Sequence, residues 1–237
     1  MTQKLITPLK ASAIFIAFTA YFFVLLFTFL PFLKSNFPIN PALYWFLTGY
    51  CLFIPIFVAS VLLAKAEGNK GLQQIKSALN LKTFSKKDWE YSVTGLLLVF
   101  VFTGLIFGVS FFLNKYLGVR MLTTTPWFME MHPFQGIEKL LLLIWLPMFF
   151  FNIVGEELLW RGYIQTRLKN KYSWILCSLL WLLFHLPFGT DLMVMLIPVI
   201  IIIPYSFYKT NNSLVGIFIH GVYNGPLFIA VALGLIK

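Results

Sequence analysis

Residues 140–167 read LLLLIWLPMFFFNIVGEELLWRGYIQTR, an apolar run about one bilayer long with two adjacent acids, Glu156 and Glu157, at its middle. A stretch of this length and composition predicts a membrane-crossing helix. Six comparable runs accompany it, at roughly 11–33, 41–64, 91–113, 173–186, 192–208 and 214–236, the fifth of the seven being short and the sixth interrupted by prolines. Across all 237 residues, 59% are hydrophobic and 11% charged, and the mean hydropathy is +0.85. Soluble domains hold about 45–50% apolar and about 25% charged residues, so a soluble enzyme, a disordered tail and a secreted disulfide scaffold are all excluded. The expectation is an all-α, polytopic transmembrane helical bundle of about seven spans, one integral membrane domain over residues 1–237.

The formal net charge of +10 sits between the apolar runs, where it sets orientation in the bilayer and gives no reason to expect a nucleic-acid partner. With the N-terminus in the cytoplasm, Lys65, Lys70, Lys76, Lys82, Lys86, Lys87, Arg167, Lys169, Lys171 and Lys209 fall inside. Lys34, Lys115, Arg120, Lys139 and Lys237 remain outside. That asymmetry obeys the positive-inside rule and predicts a multi-pass protein of the cell membrane with a cytoplasmic N-terminus and an external C-terminus. The first run follows Lys4 and Lys10 as a signal peptide would, but its bilayer length makes it a retained helix. Cys51 and Cys177 lie inside apolar stretches and read as small buried side chains.

Three loop features carry further expectations. Leu72, Ile75 and Leu79 beside Lys76 read as a short amphipathic helix on anionic lipid. Ser85 and Asp88 read as a capping box opening the third span. Between residues 114 and 138, Trp127, Phe128, Met129, Met131 and Phe134 are too apolar for a free loop and should lie on the membrane or cover the bundle, whereas His132 should be solvated.

A carboxylate near the bilayer centre costs a few kcal/mol even on insertion scales and so marks function. Glu157 and Arg161 are four apart and can neutralise each other on one helix, leaving Glu156 about 100° away without a partner. Two further runs carry Trp181 with His185, and His220 with Asn224, each pair four apart. Counted at about 1.5 Å per residue, Glu156 lies about 16 Å from Arg167, His185 about 18 Å from Ser173, and His220 and Asn224 about 10 to 16 Å from Leu214. The spacing therefore places one Glu, two His and one Asn in a single layer. A desolvated carboxylate suits a general base activating water, a histidine can orient that water, and a His–Asn pair can donate to a developing oxyanion.

Other intramembrane protease chemistries lack their residues. No histidine is followed by glutamate as a His-Glu-x-x-His zinc helix requires, Asp88 and Asp191 stand at span edges, and Gly108-Val109-Ser110-Phe111 is not a Gly-x-Ser-Gly motif. Cys177 and His185 are about 12 Å apart along their helix. A zinc site built from Glu156, His185 and His220 is chemically sensible but leaves Asn224 without a role.

The sequence resembles the CAAX protease and bacteriocin-processing (CPBP, or Abi) family of intramembrane glutamate proteases. The resemblance rests on Glu156-Glu157-Leu158-Leu159-Trp160-Arg161 followed by Gly162-Tyr163, on Trp181-Leu182-Leu183-Phe184-His185, and on His220-Gly221-Val222-Tyr223-Asn224. These match Glu-Glu-x-x-x-Arg, Phe-x-x-x-His and His-x-x-x-Asn in order, with Trp181 standing where Phe is usual. The resemblance covers residues 140–237, the expected catalytic core. It implies that Glu156 activates water with His185, that His220 and Asn224 form the oxyanion hole, and that Glu157, Arg161 and Trp181 support them, with no metal and no other cofactor. The substrate it implies is a membrane-embedded peptide or protein, prenylated for the eukaryotic members. Bacterial members are associated with bacteriocin self-immunity and peptide maturation, and a non-enzymatic immunity or scaffold protein is the competing expectation. A transporter is disfavoured because the chain shows no inverted repeat and its polar residues form one layer rather than a path.

Overall fold

Several of the helices open on a residue whose side chain closes the first turn. The computed structural model describes residues 4–129, 132–168 and 170–235; Met131, Lys169, Ile236 and Lys237, assigned above to loops, charges and a span end, lie outside the described residues. Thr7 accepts from the Lys10 N–H at 3.2 Å and Pro8 follows it, opening α1 (Pro8–Val24), which runs through a π turn (Leu25–Phe29) into α2 (Leu30–Asn36). Asn40 caps α3 (Pro41–Ala66) in the same way. After the short α4 (Leu72–Ala78), the Ser85–Asp88 capping box opens α5 (Lys86–Leu117), with the Asp88 carboxylate accepting from the Ser85 N–H at 2.8 Å. Gly118, at φ 67°, ends it.

A 3-10 turn (Gly136–Leu140) leads into α6 (Leu141–Glu156), which continues without a break as a nine-residue π-helix (Glu157–Gln165). Then come α7 (Ser173–Phe184), α8 (Thr190–Thr210) and α9 (Ser213–Ala232), the last capped by Asn212. The chain is a polytopic helical bundle in which α3 packs on α6, α8 lies among α5, α7 and α9, and the π-helix touches α3, α6, α7 and α9.

Among the described residues, six helical segments are long and apolar enough to cross a membrane, matching six of the seven expected runs. The seventh, Ser173–Phe188, is short as expected, ending in the 3-10 turn Leu186–Phe188 before Gly189 at φ 90°. The sixth expected span, by contrast, is continuous despite Pro198 and Pro204.

One loop expectation changes. Leu72 is exposed, but Ile75, Ala78 and Leu79 are buried against the bundle, so α4 is a wedge within the fold rather than a helix resting on lipid. The Leu79 carbonyl accepts from Ser213 Oγ at 2.6 Å, and a Cβ at Gly162 would strike that same carbonyl, so only glycine lets the π-helix approach α4 this closely. The loop before α6 does cover the bundle: Trp127 Nε1 donates to the Pro187 carbonyl at 2.9 Å, and Phe128 and Phe134 are buried. His132 is exposed as expected, with its Nε2 3.4 Å from Glu138 Oε1.

Arg167, counted above as a cytoplasmic loop charge, is fully buried. Its Nε and one terminal nitrogen lie 2.8 and 2.6 Å from the two Glu67 oxygens, and its guanidinium stacks on Tyr163 at 3.9 Å. The pair ties the end of α3 to the π-helix end. Burial raises the Glu67 carboxyl, but the hydrogen bonds and charge of Arg167 outweigh it, so the net displacement from 4.5 is downward. A carboxyl lowered on folding contributes stability that is present above its unfolded value and lost as pH falls through the folded one. The melting temperature in detergent should therefore drop on acidification below 4.5, and Glu67→Gln should flatten that dependence. Identical pH profiles for the two proteins would remove Glu67 as the cause.

Candidate active site

The π-helix carries the acidic motif through the centre of the bundle. Its i→i+5 bonds widen the helix, a form seen mostly as single turns and often at functional sites. Glu156 is the last residue of α6 and Glu157 the first of the π-helix, so the two carboxylates diverge. Glu157 Oε2 lies 3.3 Å from Arg161 Nε, and its Oε1 lies 3.0 Å from His220 Nδ1 on α9. Glu156, expected to be unpartnered, accepts a 2.6 Å hydrogen bond from Trp181 Nε1 on α7.

Trp181 touches more of the cluster. Its ring lies 3.5 Å from the Arg161 guanidinium carbon, and the His185 and His220 rings stand edge-on to it at 5.4 and 5.5 Å. His185 Nδ1 lies 2.8 Å from the Trp181 carbonyl. A carbonyl only accepts, so this Nδ1 carries a proton, and in its neutral form the ring presents a lone pair at Nε2. The carboxylate of Glu157 likewise takes the proton side of His220 Nδ1, leaving Nε2 of that ring for another partner.

Glu156, Glu157, Arg161, Trp181, His185 and His220 are thus one buried cluster, none more than 7% exposed. Asn224 stands apart: it lies one turn beyond His220 on α9, is half-buried, and makes no hydrogen bond among the described residues. Both terminal nitrogens of Arg161 and Glu157 Oε2 are buried without hydrogen-bond partners. Two cavities, of about 440 Å3 beside Leu105 and Arg120 and about 360 Å3 beside Gln165 and Lys171, contain none of the cluster's side chains. Among the described residues no group of three or more His, Cys, Asp or Glu is placed to hold a metal ion, so Glu156, His185 and His220 do not converge as ligands.

The family model described as type II CAAX prenyl endopeptidase Rce1-like matches residues 138–225. Over this core the chain is similar to the Rce1-like family. No match is found among curated proteins or among solved structures. The Rce1-like core includes the π-helix, α7, α8 and α9 as far as Gly225, and so every residue of the cluster and Asn224. The family is one of membrane proteases, which gives the six apolar helices their setting: a multi-pass protein of the lipid bilayer.

Two residues that shape the Rce1-like core escape a sequence reading. Phe188 stacks on His185, ring centroids 5.4 Å apart at 19°, and contacts Phe128 of the covering loop. A Cβ on Gly216 would collide with Glu157 Oε2, so a glycine lets α9 lie against that carboxylate. Gly216 stands four residues before His220 on the same helix face, and that spacing was the available signal.

Proposed function

We propose that the protein is an intramembrane endopeptidase that hydrolyses a peptide bond of a membrane-associated peptide or protein. Glu156 is the general base that activates water with His185, and His220, donating from an Nε2–H while its Nδ1–H stays on Glu157, acts with Asn224 on the oxyanion. Glu157 holds His220 and is itself neutralised by Arg161. The observation that carries this reading is the division between the two carboxylates. Glu157 is committed to a cation and a histidine, while Glu156 is held by an uncharged N–H and keeps its capacity to take a proton. With Nδ1 of each histidine engaged, both rings keep Nε2 for water or substrate. Asn224 completes the oxyanion hole by turning toward a bound carbonyl. The charge asymmetry puts the N-terminus and the basic α3–α5 connection in the cytoplasm.

Purified protein in liposomes, incubated with a farnesylated CAAX peptide and with its unprenylated counterpart, tests the reading by mass-spectrometric mapping of new carboxyl termini. One reproducible cut is expected. No cut in either peptide, nor in membrane peptides of the source organism, would end it. The closed cluster favours a second reading, a non-enzymatic immunity or scaffold protein, and protection or signalling that survives Glu156→Gln in cells would select it.

A further inference from the structure

Within the cluster, one side chain meets Glu156, Arg161, His185 and His220 together, and it is uncharged. Trp181 Nε1 donates to Glu156 Oε2 at 2.6 Å, its carbonyl takes the His185 Nδ1 proton at 2.8 Å, and its ring lies under Arg161 at 3.5 Å. A short N–H···O bond to an ionised carboxylate fixes that oxygen and leaves the other to face its reaction partner. The bond to the carbonyl selects one tautomer of His185. The indole itself is held by burial, at 1% exposure, so neither contact can be made by a wandering side chain. By contrast, the indole N–H of neighbouring Trp160, stacked on Phe15 at 4.0 Å, has no partner at all. Burial alone therefore does not supply an acceptor to a tryptophan here.

We propose that Trp181 is the positioning residue of the site, aligning Glu156 through its indole N–H and His185 through its backbone carbonyl so that both face one water. The proposal rests on the hydrolytic reading for its catalytic consequence and on the hydrogen bond alone for its geometry. Trp181→Phe is the decisive variant, because it keeps an aromatic ring for Arg161 and the backbone carbonyl for His185 while removing the N–H, at the cost of part of the indole's volume.

With the farnesylated CAAX peptide as probe, turnover in Trp181→Phe should fall about 10- to 100-fold, the value of one hydrogen bond to a charged group, with KM within about twofold. A role in packing alone would instead lower stability and leave kcat of the folded fraction unchanged. The second readout needs no substrate: the indole 15N–1H resonance lost in Trp181→Phe should move on Glu156→Ala, while the resonances of Trp160 and of Trp127, bonded to Pro187, stay in place. A Trp181 resonance indifferent to Glu156→Ala, or full turnover in folded Trp181→Phe, would overturn the proposal. If the wild type cleaves nothing, the hydrolytic reading fails, and the resonance alone decides whether Trp181 holds Glu156.

Discussion

Glu156→Gln is expected to lower peptide hydrolysis by about 10²- to 10⁴-fold, the usual contribution of a positioned general base. The substitution is nearly isosteric, and the amide oxygen can still accept from Trp181 Nε1, now 2.6 Å from the carboxylate. The fold should therefore survive, and the melting temperature should stay within a few degrees of the wild type's. What is lost is the ability to take a proton from water. Glu157→Gln should behave differently, because its carboxylate serves Arg161 and His220 rather than the water. Turnover, measured with the same peptide in liposomes, separates the two. Wild-type rates in well-folded Glu156→Gln would show that the cluster does not hydrolyse peptides through this residue.

Arg161→Ala is expected to destabilise the protein by about 3 to 5 kcal/mol, the cost of removing one partner from a buried ion pair. Glu157 and Arg161 are both fully buried. Without the guanidinium, Glu157 keeps only His220, and Trp181 loses the cation stacked on its face. Unfolding in detergent should show the full loss. Replacing both Glu157 and Arg161 by Leu removes both charges together and should recover most of the stability, since well-packed apolar residues can match or exceed a buried pair. Turnover should stay low in that double variant, because His220 Nδ1 no longer has its carboxylate. A single Arg161→Ala change costing under about 1 kcal/mol would show that water or another group already compensates the charge.

The spans were legible because a bilayer crossing is a local property: about twenty apolar residues suffice, whatever the rest of the chain does. The one short run, read as residues 173–186, is likewise the shortest of the apolar helices, ending at the turn before Gly189. Ionisable residues in the apolar runs were legible for the same reason, each being costly where it stands. The partners were less so. Glu157 with Arg161 was readable from a four-residue spacing, and Arg167 misread as a loop charge because Glu67, its partner, lies 100 residues away.

The sequence by itself determined a helical membrane bundle and named Glu156, Glu157, Arg161, Trp181, His185, His220 and Asn224 as its unusual residues, since composition and short spacing suffice for both. Only the tertiary structure decided who pairs with whom. The shift from α6 to a π-helix at Glu157 exchanges i→i+4 for i→i+5 bonds and leaves no mark in composition, yet it sets where both carboxylates point. The contacts of Glu156 with Trp181 and of Glu157 with His220 span 25 and 63 residues and depend on how three helices are rotated against one another. That rotation follows from packing, from glycines at 162 and 216 that admit close approach and from aromatic rings that fill the rest, and packing is a property of the whole bundle rather than of any stretch within it.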